Sequence, residues 1–194
     1  MLHVVAAVVI GHSVQGRPLR AYEVGDPKSP EKVLVVGCIH GDECAGMPVV
    51  WRLARTHPSF DLWLVPNVNP DGYRTRTRAN ANGADLNRDF LARTQPETRA
   101  VTALIRRLHP RVTIWFHQHQ NLVRAWGRSI ATARRYARLA RMRFAALRWP
   151  NGSAANWQNR AFPGTSSFVV ELPAGSLSAR AVARQANAVL QLAS

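Results

Sequence analysis

The segment Val33-Leu34-Val35-Val36-Gly37-Cys38-Ile39-His40-Gly41-Asp42-Glu43 runs an apolar stretch into a Gly-bearing turn with a histidine and, three residues on, a glutamate. In a tight turn or a first helical turn, side chains at that spacing converge on one point. Imidazole nitrogen and carboxylate oxygen both ligate Zn²⁺, and a catalytic zinc site uses three protein ligands and keeps one position open. A third ligand is expected from another strand end. Val112-Thr113-Ile114-Trp115-Phe116-His117-Gln118-His119 supplies two candidates, His117 and His119. They share one face of a continuing strand, so the pattern alone leaves both open. Hydrolysis at such a centre also needs a base to take a proton from water. Glu171 follows Ser167-Phe168-Val169-Val170 and precedes Leu172-Pro173. A carboxylate there is costly to bury unless it faces a site or a partner. Between these segments lie Asn69-Pro70-Asp71-Gly72, which reads as a turn, then Arg74, Arg76 and Arg78, and Asp85-Leu86-Asn87-Arg88-Asp89-Phe90. Arginine is the best bidentate partner for a carboxylate.

The elements that must carry these residues alternate between short β-branched runs and longer helical patterns, the signature of an α/β fold. Strands are expected over 4–10, 19–24, 33–38, 62–65, 112–117 and 167–172. Several are apolar on both faces, as central strands of a covered sheet should be. Helices are expected over 47–56, 96–108, 129–143 and 177–190. Pro96 suits a first helical position, and Ser176 or Ser178 suits the cap of the last helix. Two stretches, 66–93 and 147–166, show no clear period. Loops of such length inside a compact domain are usually functional. No repeat or internal boundary is visible, and one domain over residues 1–194 is the expectation.

Composition narrows the classes further. The 194 residues are 46% hydrophobic, which permits a packed core. No apolar run approaches the roughly 20 residues that span a bilayer. The N-terminal stretch Val4-Val5-Ala6-Ala7-Val8-Val9-Ile10 lacks a basic flank and a small-residue cleavage site, so it reads as a strand rather than a signal peptide. Cys38 and Cys44 are the only two cysteines, and free, buried thiols are expected of them. Of the 26 cationic residues only Lys28 and Lys32 are lysine, and the formal net charge is +15. That charge by itself favours a polyanionic partner. Its best support is 134–143, where arginines occupy one face of a helical pattern. A solvated helix face is the plainer reading, and no RNP, helix-turn-helix or zinc-knuckle pattern accompanies it.

Taken together, His40-x-x-Glu43, Asn-Pro-Asp-Gly at 69–72, Thr77-Arg78-x-Asn80, Asp85-Leu86-Asn87-Arg88, His117 and Glu171-Leu172-Pro173 resemble the zinc metallocarboxypeptidase family, the carboxypeptidase A relatives. The ordered motifs cover most of the chain, and the compact form is most similar to the bacterial murein peptide amidase branch. The resemblance implies a three-layer α/β/α sandwich around a mixed twisted sheet. It also implies one Zn²⁺ held by His40, Glu43 and His117, with Glu171 as general base. Arg78 would polarise the scissile carbonyl, and Asn87 and Arg88 would grip the substrate's terminal carboxylate. The substrate would be a peptide, with cell-wall peptides among the candidates. Two departures stand out: Asp89 sits where many relatives carry a second Asn, and 147–166 offers Trp149 and Trp157 but no substrate-facing Tyr. Two other readings compete. One is a zinc acylamino-acid deacylase of the succinylglutamate desuccinylase or aspartoacylase kind. The other is a basic polyanion-binding module without catalysis.

Overall fold

The computed structural model describes residues 4–193; Met1 to His3 and Ser194 lie outside the described residues. Seven strands form one mixed sheet: β1 (Val4–His12), β2 (Pro18–Gly25), β3 (Lys32–Val36), β4 (Asp61–Val65), β5 (Val112–Ala125), β6 (Arg143–Ala146) and β7 (Ser166–Pro173). The helices are α1 (Met47–Leu53), α2 (Pro70–Thr75), α3 (Pro96–Leu108), α4 (Ile130–Ala140), α5 (Ala154–Ala161) and α6 (Ala179–Ala193). β1 pairs antiparallel with β2, and β2 with β4, whereas β3 is parallel to both β4 and β5. No helix among the described residues is long and apolar enough to cross a membrane.

The double-sided apolarity of β3 explains the layers. Val33 and Val35 enter a core with Val49, Val50 and Leu53 of α1, Ala133, Tyr136 and Ala137 of α4, and Ala188, Val189 and Leu192 of α6. Leu34 and Val36 enter the opposite core, with Val101, Leu104 and Ile105 of α3 and Ala154, Ala155 and Trp157 of α5. Adjacent residues on a strand point to opposite faces, so one apolar run anchors both helical layers. The three-layer α/β/α sandwich is the fold observed.

β5 and β7 make the arrangement that matters for the site. The first half of β5 runs parallel to β7, with Val112 beside Ser166 and His117 beside Glu171. The second half returns, with Leu122 beside Glu171 and Arg124 beside Val169, a descending register that is locally antiparallel. β7 therefore lies between two arms of β5, and β6 pairs with the outer arm. Asn121, in the left-handed region at φ 49°, sits in the reversal.

Three expectations are corrected. The helix expected over 129–143 stops at Ala140, where Arg141 takes a left-handed φ of 53°. Phe144 then belongs to β6, so the apparent helical spacing joined two elements. Neither aperiodic stretch is structureless. Segment 147–166 contains α5, whose buried face is made by small Ala154 and Ala155 with Trp157 and Gln158, too few large apolar residues to register as a period. Segment 66–93 holds α2 and a single 3-10 turn over Leu86–Arg88. The third correction concerns the thiols: the structure pairs Cys38 with Cys44 as a disulfide. The turn between them folds back tightly enough to bring their Cα atoms to 4.6 Å, inside the range a disulfide needs. The other expected elements are present with shifted bounds: the strand expected over 112–117 runs on to Ala125, and the helix expected over 47–56 ends at Leu53. α3 begins at Pro96, and Ser178 accepts a hydrogen bond from the Ala181 N–H at 3.2 Å at the start of α6.

Candidate active site

His40 and Glu43 lie just beyond the carboxyl end of β3, and His117 lies near the end of the parallel arm of β5. Ligands of α/β proteins collect at such strand ends. One Glu43 carboxylate oxygen, Oε2, sits 3.1 Å from His40 Nδ1 and 3.0 Å from His117 Nδ1. The three ligand atoms all fall within 4.8 Å of one another, and all three residues are buried. Two imidazoles and one carboxylate, converging and desolvated, match the ligand chemistry of a catalytic Zn²⁺. The geometry thus brings in His117 and leaves out His119, which is exposed and lines a neighbouring cleft with Asp42 and Tyr73.

His40 is held from behind. Its other ring nitrogen, Nε2, is 2.9 Å from Asp85 Oδ1. A carboxylate in that position fixes ring orientation and raises the basicity of a ligand histidine. Burial disfavours the charged imidazole of His40, but its hydrogen bonds to Asp85 and Glu43 outweigh this and leave its pKa raised. For His117 burial wins over the Glu43 contact, and its pKa is lowered. Burial pushes the Glu43 carboxyl upward, yet the hydrogen bonds to His117 and His40 hold it well below the usual range. Asp85 is the residue that the sequence did not single out for a role. Its only sequence signal was its place at the head of Asp85-Leu86-Asn87-Arg88.

Arg78 reaches the same cluster from the loop after α2. Its Nη1 donates to Glu43 Oε1 at 2.6 Å, and its Nε donates to Asp85 Oδ2 at 3.1 Å. Local sequence explains its placement. Asn69 caps α2 by accepting from the Gly72 N–H at 2.9 Å, and its amide donates to the Arg78 carbonyl at 3.2 Å. A Cβ at Gly41 would lie 2.0 Å from the Gly72 carbonyl carbon, and one at Gly72 would lie 2.5 Å from the Ala79 carbonyl oxygen. The two motif glycines let these backbones touch. Asn80 then ties the loop to α3, donating to Glu97 Oε2 at 3.1 Å while accepting from the N–H groups of Asn82 and Ala84.

Glu171 faces this cluster from β7. It is only 7% exposed, and one carboxylate oxygen, Oε2, is buried without a hydrogen-bond partner. Burial first, and the nearby charge of Glu43 second, push its pKa up to about 7, against the opposing pull of Arg124, His40 and Arg78. Asn87 and Arg88 line the same cleft, whose volume is about 170 Å³. Asn87 accepts from the Ala154 N–H at 2.9 Å, and Gly152 presses against the Arg88 carbonyl, where a Cβ would lie at 2.0 Å. The 147–153 segment thus braces this end of the cleft. Asp89 points elsewhere: it accepts from the Thr94 and Gln95 N–H groups, both at 2.9 Å, and from the Thr94 hydroxyl at 2.7 Å. Its charge secures the approach to α3 instead of lining the cleft.

The seven residues to which the resemblance gave a role reach one cleft: His40, Glu43, Arg78, Asn87, Arg88, His117 and Glu171; His119, the other candidate ligand, does not. Gln118, Arg124 and Trp149 join them without having been singled out for that site.

Comparison with known proteins agrees with this geometry. The sequence model described as zinc carboxypeptidase matches residues 3–165. Carboxypeptidase SOL1 of Arabidopsis thaliana is 34% identical over 125 residues, covering 50% of this chain and 26% of that protein. Murein peptide amidase A of Escherichia coli K12 is 31% identical over 144 residues, covering 55% of this chain and 57% of that protein. The match thus spans a quarter to somewhat over half of these curated relatives. Among solved structures, the murein-tripeptide amidase of Escherichia coli O157 superposes with a TM-score of 0.78 at 23% identity, covering 97% of this chain and 90% of that one. The carboxypeptidase A of Helicoverpa armigera superposes with a TM-score of 0.81 at 16% identity, over 98% of this chain and 68% of that one. A buried His-Glu-His cluster at the strand ends of a three-layer sheet, in a chain whose sequence matches along most of its length, places it in the zinc carboxypeptidase family.

Proposed function

We propose that this chain is a single-domain, zinc-dependent hydrolase of C-terminal peptide or amide bonds, with peptides of the cell-wall type among its substrates. The observation that carries the reading is the unpartnered Glu171 carboxylate facing a His40-Glu43-His117 cluster in one cleft with Asn87 and Arg88. One Zn²⁺ held by His40, Glu43 and His117 would supply Lewis acidity, polarising a carbonyl and lowering the pKa of water toward about 7. Glu171 takes the proton of the attacking water and returns it to the leaving amine, a role that suits a carboxyl whose pKa is raised toward neutrality. Arg78 donates to the carbonyl oxygen as negative charge develops there. Asn87 and Arg88 receive the terminal carboxylate, the arginine offering a bidentate donor pair. The murein peptide amidase similarity supports the cell-wall substrate class. The +15 charge assists by drawing acidic peptides toward the protein.

The deciding experiment measures metal content together with hydrolysis of a panel that includes cell-wall tripeptides, other short peptides and N-acyl amino acids. Stoichiometric zinc, with peptide hydrolysis lost to a chelator and restored by Zn²⁺, is expected. Full activity without metal, or faster hydrolysis of N-acyl amino acids than of peptides, would overturn the reading.

A further inference from the structure

Arg124 is the one arginine of the cleft to which the foregoing chemistry gives no task. It stands on the returning arm of β5 beside Val169, two residues from Glu171 along β7 and on the same face. Its guanidinium lies over the Trp149 ring at 4.8 Å, and its Nη2 donates to the Arg148 carbonyl at 2.9 Å. Both contacts come from the segment that braces Arg88 through Gly152. The guanidinium is thus fixed in direction by a ring on its face and a carbonyl at one corner. Its Nε is nevertheless buried without a hydrogen-bond partner. Arg124 feels the charges of both Glu171 and Arg88, yet no ion pair joins it to an acidic group among the described residues.

A half-buried cation that lines a cleft without an acidic partner gains from an acceptor that enters. The entering group must be an acceptor, and a carboxylate is the acceptor whose planar fork matches a guanidinium. Arg88 and Arg124 line the same cleft and each feels the other's charge, so a residue whose terminal carboxylate meets Asn87 and Arg88 has Arg124 as the remaining cation for its side chain. We propose that Arg124 is a specificity-determining residue that selects substrates whose departing C-terminal residue carries a second carboxylate on its side chain.

This assignment rests on the hydrolase reading above, and the test separates the two. Peptides that differ only in a C-terminal Glu, Gln or Leu are compared by kcat/KM with zinc-loaded protein. The wild type is expected to prefer Glu over its neutral isostere Gln by about tenfold or more, the discrimination that one charge-assisted pair provides. Arg124→Leu should bring the Glu/Gln ratio close to one, and Arg124→Lys should restore part of it. The ratio is the decisive quantity, because removing Arg124 also alters the basicity of Glu171, and that change affects both substrates alike. A wild-type ratio near one, or a ratio unchanged in Arg124→Leu, overturns the proposal. Binding of free glutamate and glutamine, measured by calorimetry, supplies a second arm independent of turnover. If no peptide is cleaved but glutamate binds tighter and Arg124→Leu removes the preference, Arg124 keeps its role and the hydrolase reading falls. If glutamate and glutamine bind alike, the Arg124 assignment falls.

Discussion

The two halves of the cleft are built on opposite plans. Around His40, Glu43, His117, Asp85 and Arg78, the polar groups are knitted to one another in a chain of contacts between 2.6 and 3.1 Å. On the β7 side, Glu171 and Arg124 each keep a buried polar atom with no internal partner. A satisfied network fixes geometry, which a metal site needs before the ion arrives. Unsatisfied buried groups raise the energy of the resting protein, and that energy is released when water or substrate supplies the missing bond. One half is organised to hold something permanently, the other to meet something that leaves again.

The sharpest way to break this contrast is to cut the first half. His117→Ala should abolish zinc binding and all turnover, whereas His119→Ala should retain both, as read by metal analysis and kinetics. The reverse result would exchange their roles and dissolve the cluster as described. In the second half, Glu171→Gln should keep its zinc and lose about 10²–10⁴ in kcat; loss of the metal would show that the two halves are one unit. Asp85→Asn touches the metal half only from behind, and should weaken zinc affinity by about 10–100-fold, measured by competition with a chelator.

Stability offers a gentler comparison. The folded-state pKa of Glu171 is raised to about 7 from an ordinary 4.5, so the folded state holds this proton more tightly than the unfolded chain. Stability of the metal-free protein therefore falls as pH rises through that window. Glu171→Gln removes the penalty, and should raise stability by about 1–2 kcal/mol above pH 7 while changing little near pH 4. Equal shifts at both pH values would contradict the unsatisfied-carboxylate account. Asp89 shows the opposite sign. Burial opposes its charge, but the Gln95 and Thr94 donors hold its pKa below 3.8, so its contribution is present above that value and lost on acidification. Asp89→Asn should cost about 1 kcal/mol near neutrality and leave KM unchanged; a changed KM would return Asp89 to the substrate cleft.

Sequence reading succeeded where chemistry was concentrated in short segments. His40 and Glu43 declared themselves because both sit in one turn after a wholly apolar strand, and Glu171 because a carboxylate closed another. Two-residue periodicity left His117 and His119 both open; the family resemblance pointed to His117, and His117 is the one that joins the cluster. Asp85 was hidden because its partner is 45 residues away, and Arg124 because its position became meaningful only when β5 doubled back around β7. α5 was missed for a different reason: alanines pack a helix closely against a sheet without producing the large apolar stripe that periodicity detects.

The enclosure of β7 also ties the two halves of the cleft to segments far apart in the chain. His40, Glu43 and His117 lie at or before position 117, whereas Glu171, the proposed base, comes with the strand at 166–173. That late strand must enter a gap with β5 on both sides, a pairing across long sequence separations that forms slowly. On the reading proposed above, a chain whose β7 has not yet paired with both arms of β5 lacks its base at the cluster and is expected to be inactive.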